Sequence, residues 1–272
     1  MQHFSISPKA LVKSLVANRH LILSMTKREV IGRYKGSMIG IFWSFINPVF
    51  MLLVYTFVFS VVFQARWSVG SDSKTEFALV LFAGLIVFNL FSECITKSPD
   101  LILRNVNYVK KVVFPLEILP WVNLGAALFH CAVSIVVWIT AYLILFGLPT
   151  LQILLLPIAI LPLLFMTIGF SLAIAATGVY VRDIAQFIGI LTTALMFMSP
   201  IFYPVTALPE EYRQYLYINP LTPIIENVRN VLFWGNPPDL QLLGIYLTVS
   251  MLVCWFGFAW FQKTRKGFAD VL

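Results

Sequence analysis

Apolar residues in this chain fall into long runs separated by short polar stretches. Six runs stand out: about 38–63, 77–95, 116–146, 151–178, 187–204 and 240–261. Most are long enough to cross a hydrocarbon core of ~30 Å, which takes ~20 helical residues. None alternates apolar and polar positions as a membrane barrel strand must. In lipid the remaining option is helices, which satisfy their own backbone hydrogen bonds. The expected fold is an all-α integral membrane protein with six transmembrane helices.

The polar stretches divide the chain into a segment 1–37 and a six-helix domain 38–272. From Pro8 to about Thr26, Val12, Leu15, Val16, Ile22 and Leu23 can share a face, predicting an amphipathic helix at the membrane surface. A second such helix is predicted from Ser98 to about Val113. Ser98 suits the N-cap, Pro99 the first position and Asp100 the dipole. Between runs five and six, Thr222 and Pro223 can open a helix with Ile224, Ile225, Val228, Val231 and Leu232 on one face. That stretch is too apolar for a free loop and too short for a span, so re-entrant outer helices are expected.

Composition agrees: 60% of residues are hydrophobic and 11% charged, against roughly half and a quarter in soluble domains. The net charge of +7 follows topology and points to membrane lipid, with no nucleic acid partner. All but four of the 19 Lys and Arg fall in segments 1–37, 96–115, 179–186 and 262–272. The four are Arg66, Lys74, Arg213 and Arg229. This bias places both termini in the cytoplasm. No cleavable signal peptide is expected at the polar N-terminus. Cys94, Cys131 and Cys254 have no metal-ligand spacing and are expected as buried free thiols.

Candidate chemistry is sparse. There is no phosphate-binding Gly-x-x-x-x-Gly-Lys-Ser/Thr loop, zinc-protease His pair or nucleophile elbow. His130 lies inside the third run, where a titratable group is a functional candidate. With no acid nearby in sequence, a neutral histidine bonded to a neighbouring helix is the preferred reading. Glu93 and Glu117 lie near helix ends and are expected to pair with Lys97, Lys110 or Lys111. Asn47-Pro48 is expected to bend the first span. Tyr55, Phe59 and Phe63, at i, i+4 and i+8, form one stripe that suits a sliding sugar chain. Lipid-facing packing is the plainer explanation of most aromatics. Phe197, Phe202 and Tyr203 are assigned to the same aromatic lining.

Four stretches in order carry a family resemblance. Residues 26–48 contain Arg33-Tyr34-Lys35-Gly36-Ser37 and end in Asn47-Pro48. Residues 110–120 read KKVVFPLEILP. Arg182-Asp183-Ile184 is followed by Ser199–Pro204, and Asn219–Pro223 by Glu226 and Arg229. Together they resemble the ABC-2 transporter permeases, most closely the branch exporting O-antigen, capsule or teichoic acid. The resemblance implies a permease in the bacterial inner membrane, not an enzyme, that forms a homodimer with two copies of a separate ABC ATPase subunit. ATP and Mg would be bound by that partner, leaving no cofactor in this chain. The implied substrate is a polyprenyl-diphosphate-linked glycan, O-antigen first. Coupling to the ATPase is assigned to Arg33, Tyr34 and Lys35 and to Arg104, Val106, Lys110 and Lys111. A permease for a small hydrophobic compound or drug is the alternative. A membrane glycosyltransferase would need paired acids that Glu210, Glu211, Glu226 and Asp239 do not supply.

Overall fold

A computed structural model describes residues 5–63, 67, 74–110 and 114–272. Every regular element among them is a helix. The chain opens with α1 (Pro8–Ala17), capped by the Ser7 side chain, and α2 (Arg19–Tyr34). Then follow α3 (Trp43–Tyr55), α4 (Lys74–Lys97), α5 (Val106–Lys110), α6 (Leu119–Phe146) and α7 (Leu156–Tyr180). The remainder comprises α8 (Ile184–Met198), α9 (Glu210–Leu216), α10 (Thr222–Arg229), α11 (Leu240–Thr264) and α12 (Phe268–Val271).

Five stretches are long and apolar enough to cross a membrane: Gly40–Phe59, Thr75–Lys97, Leu116–Phe146, Leu151–Tyr180 and Leu240–Val271. They coincide with five of the six runs. The run expected at 187–204 forms α8, which begins earlier and ends at Met198. Its 15 residues rise only ~22 Å, short of a full crossing. Ser199 and Pro200 stop it, and the Ser199 hydroxyl bonds back to the Leu195 carbonyl. Pro48 sits inside α3, and α3 passes into a wider π-helical turn at Thr56–Val62.

Helix α4 is the core: Val80, Leu81 and Ala83 are fully buried. Trp138 on α6 donates to the Leu79 carbonyl at 2.9 Å, and Asn123 to the Cys94 carbonyl at 3.2 Å. Helices α7 and α11 meet backbone to backbone. A Cβ on Gly169 would lie 2.5 Å from the Val253 carbonyl oxygen, and one on Gly257 would collide with the Gly169 carbonyl. Small residues at a helix crossing permit this closeness, since lipid gives apolar side chains no reason to prefer one another.

Helix α10 and the π-helical turn after it (Asn230–Trp234) bury the expected face: Ile224, Ile225, Val228, Val231 and Leu232 are at most 2% exposed. Arg229 goes with them, fully buried against α4. It donates to the carbonyls of Val80 (3.0 Å), Pro200 (2.5 Å) and Ile201 (3.0 Å), pairs with Glu226 at 2.9 Å and stacks on Trp67. A charge sealed in this way is tolerated because its donors are satisfied.

The cytoplasm-assigned segments depart most from expectation. The predicted helix from Pro8 to Thr26 is broken at Asn18, whose amide bonds back to the Ser14 carbonyl. The buried face carries Leu11, Met25 and Val30, while Val12, Val16 and Leu23 are exposed. The single helix expected from Ser98 to Val113 is instead a set of turns, a 3-10 turn at Leu103–Asn105 and α5; residues 111–113 lie outside the described residues. Ser98 does not cap it: its hydroxyl donates to the Cys94 carbonyl, and Pro99 is pressed against Gly178 of α7. Packing against α7 fixes the chain in turns there.

Candidate functional site

The sequence leaves His130 without an acid, and the fold supplies one from another helix. Glu93 Oε2 lies 3.1 Å from His130 Nδ1. Its other oxygen meets Arg33 Nη1 at 2.6 Å and Lys97 Nζ at 2.8 Å. The Glu93–Lys97 pair is the one expected from spacing. Arg33 Nη1 also approaches Nδ1, at 3.0 Å, and the Tyr34 hydroxyl lies 3.1 Å from Nε2. Partial burial raises the Tyr34 pKa; Arg33 opposes the shift and Glu93 adds to it. The Tyr34 hydroxyl is placed to donate to Nε2. The ring tautomer that accepts from Tyr34 at Nε2 is the one whose Nδ1–H faces Glu93. Three helices thus converge on one carboxylate.

This cluster forms the polar end of a cleft of about 530 Å³ between α2, α3, α4 and α6. Asn47, Asn89, Thr96 and Ser134 continue the polar lining, and Tyr55, Phe82 and Ile86 make it apolar farther along. An aromatic group lies beyond Tyr55 on α3. Phe59 stacks on Phe77 (5.3 Å between centroids) and Phe202 (6.0 Å), and touches Phe63 (5.7 Å). Phe197 stacks on Phe202 at 5.8 Å, and the Tyr203 hydroxyl donates to the Phe197 carbonyl. The fold therefore gathers Phe59, Phe63, Phe197, Phe202 and Tyr203, drawn from two distant stretches, with Tyr55 on the cleft wall. Phe63 and Phe197 are more than 60% exposed, leaving ring faces open.

The residues assigned to coupling divide. Arg33 and Tyr34 belong to the Glu93 cluster, while Lys35 is exposed just before Gly36, whose φ of 93° turns the chain. Arg104 pairs with Asp100 at 3.0 Å, Val106 is half-buried and Lys110 is exposed. Lys111 lies outside the described residues. Arg28 donates to the Tyr108 hydroxyl at 3.1 Å, joining α2 to α5. Among the described residues, Glu117 pairs with neither Lys97 nor Lys110. Arg265, at the end of α11, meets it at 2.6 Å and also holds the Phe114 carbonyl, while Ser14 of α1 donates to Glu117 at 2.9 Å. Lys97 is taken by Glu93 and Lys110 is exposed, whereas Arg265 lies largely buried beside the carboxylate. The three cysteines are free and buried, as expected.

The described helices form a bundle of lipid-length segments with a polar cleft between them. The family model for ABC-2 type transporters matches residues 20–233. The chain belongs to the ABC-2 transporter family. Among curated relatives, this permease is 27% identical over 262 residues to the O-antigen export system permease protein RfbA of Myxococcus xanthus. That match covers 96% of this chain and 98% of the relative. It is 27% identical to an RfbA of Klebsiella pneumoniae, covering 93% and 95% of the two chains. The polysialic acid transport protein KpsM of Escherichia coli is 24% identical, over 88% and 91%. The permease is a multi-pass membrane protein and a transport subunit.

Proposed function

We propose that this permease is the membrane-spanning subunit of an ABC transporter exporting a lipid-linked polysaccharide, O-antigen foremost, across the bacterial inner membrane. The observation that carries this is the graded lining of the cleft, charged at Glu93 and Arg33, amide-bearing at Asn47 and Asn89 and apolar at Tyr55 and Phe82, with the Phe59–Phe202 aromatic group one helical turn past Tyr55. A long glycan must slide, so many weak ring contacts suit it better than one tight site. A diphosphate-linked head suits the charged end, where two cations and His130 surround one carboxylate. The end-to-end similarity to permeases named for O-antigen and polysialic acid supports the same substrate class.

The working unit on this reading is a homodimer with two copies of an ABC ATPase, which binds ATP and Mg. Both termini lie in the cytoplasm, α1 and α2 lie in the interface, α8 with the turn after it is the sixth crossing, and α9–α10 re-enter from outside. Tyr55→Ala combined with Phe59→Ala is expected to lower surface polysaccharide several-fold at unchanged membrane abundance. Staining of surface glycan beside immunoblots of the membrane fraction checks this. Unchanged export would assign the stripe to lipid contact.

Force from the ATPase enters through α5 and the turn at Leu103–Asn105, which connect α4 to α6. Arg28–Tyr108 ties the same element to α2. Val106→Lys adds a cation and so strengthens attraction to anionic lipid by ~1 kcal/mol. It is nevertheless expected to leave ATP hydrolysis running while export falls. Normal export from the assembled complex would make α5 a lipid anchor.

A further inference from the structure

At the basic end of α11, a groove of about 760 Å³ runs between that helix and Ser5-Ile6 near the N-terminus. Its polarity changes along the helix in a fixed order. Phe256, Ala259, Trp260 and Lys263 recur at i, i+3, i+4 and i+7, so they share one face over ~10 Å. Phe256 and Trp260 are 62% and 47% exposed. Lys266 continues the wall on the 3-10 turn that follows. Both sides of the groove are fixed. Trp255 donates to the Ile6 carbonyl at 3.0 Å, and Trp260 donates to Thr177 Oγ1 at 3.1 Å.

Two features there lack partners. Neither Lys263 nor Lys266 has a carboxylate within ion-pair distance among the described residues, although nearby Arg265 is paired with Glu117. Gln262, which also lines the groove, is 5% exposed, and its Oε1 has no hydrogen-bond partner. A buried amide oxygen without a donor is uncommon and calls for an explanation.

We propose that this groove is a seat for one anionic glycerophospholipid. An acyl chain lies along Phe256 and Ala259, and the indole of Trp260 sits at the ester level, where Trp is favoured. The phosphate meets Lys263 and Lys266, and a headgroup or glycerol hydroxyl donates to the Gln262 amide. The order apolar, aromatic, amide, cation matches the order of groups along a phospholipid. The seat does not depend on what the permease transports.

The test is native mass spectrometry of the full-length permease released from nanodiscs of phosphatidylglycerol or of phosphatidylcholine. Wild type is expected to retain one phosphatidylglycerol per chain and no phosphatidylcholine. Lys263→Gln with Lys266→Gln is expected to weaken retention on the order of 30-fold. Ala259→Trp keeps both lysines and fills the groove, and is expected to abolish retention while the thermal midpoint in detergent stays unchanged. Retention by Ala259→Trp at the wild-type level would overturn the seat and leave diffuse attraction to the lysines. Equal retention of the two lipids by wild type would overturn it as well.

Discussion

Glu93→Gln is expected to reduce export at least tenfold while the protein remains in the membrane. One carboxylate holds Arg33 of α2, Lys97 of its own helix and His130 of α6. The amide keeps the shape but removes the charge that all three donors face. Hydrogen bonds to charged groups contribute ~1.5–3 kcal/mol each, so losing even one shifts an equilibrium about tenfold or more. The main consequence is loss of the tie between the surface helix α2 and the α4–α6 pair. Surface polysaccharide measured against membrane abundance reads this directly, and Glu93→Asp should recover part of the loss. Wild-type export from Glu93→Gln would remove the cluster from the transport path.

Gly257→Leu is expected to prevent accumulation of folded protein. At the α7–α11 crossing even a Cβ meets the backbone of Gly169, and backbone cannot swing aside as a side chain can. Overpacking costs ~1–3 kcal/mol where neighbours can adjust, and this contact sits at or above that range. Gly244 on the same helix is the control, because a Cβ there meets nothing within 4 Å. Gly244→Ala should be neutral or slightly stabilising, since glycine is the weaker helix former. The thermal midpoint in detergent and the membrane yield separate the two substitutions. Equal midpoints for Gly257→Leu and Gly244→Ala would mean the two helices do not cross at those glycines.

The elements legible in the sequence were those set by local physics. Run length located five membrane-length helices, and 3.6-residue spacing assigned the buried face of α10 residue by residue. The break at Asn18 escaped the pattern because apolar residues continue at helical spacing on both sides of it, and a side-chain bond to Ser14 decides it. The shortness of α8 was obscured because apolar residues continue through Ser199–Pro204 after the helix has ended.

The charged end of the cleft was only partly legible. Glu93–Lys97 follows from i, i+4 spacing, but His130 is 37 residues from Glu93 and Arg33 is 60. Glu117 and Arg265 are 148 residues apart. No local pattern links such pairs. The usable signal is that an ionisable side chain inside an apolar run needs a partner, and here that partner comes from another helix. The aromatic stripe on α3 could be read from spacing, whereas its meeting with Phe202 depends on the path of the chain after α8.

On the function proposed above, this chain and an ATPase partner move a lipid-linked glycan across the membrane. The most direct measurement uses proteoliposomes holding the permease, its ATPase and a polyprenyl-diphosphate-linked glycan, with a lectin that reads the face opposite the ATPase. The expected result is ATP-dependent appearance of glycan at that face, lost in a complex carrying Glu93→Gln. Glycan that stays in place, while the same vesicles pump a small hydrophobic dye on addition of ATP, would contradict it.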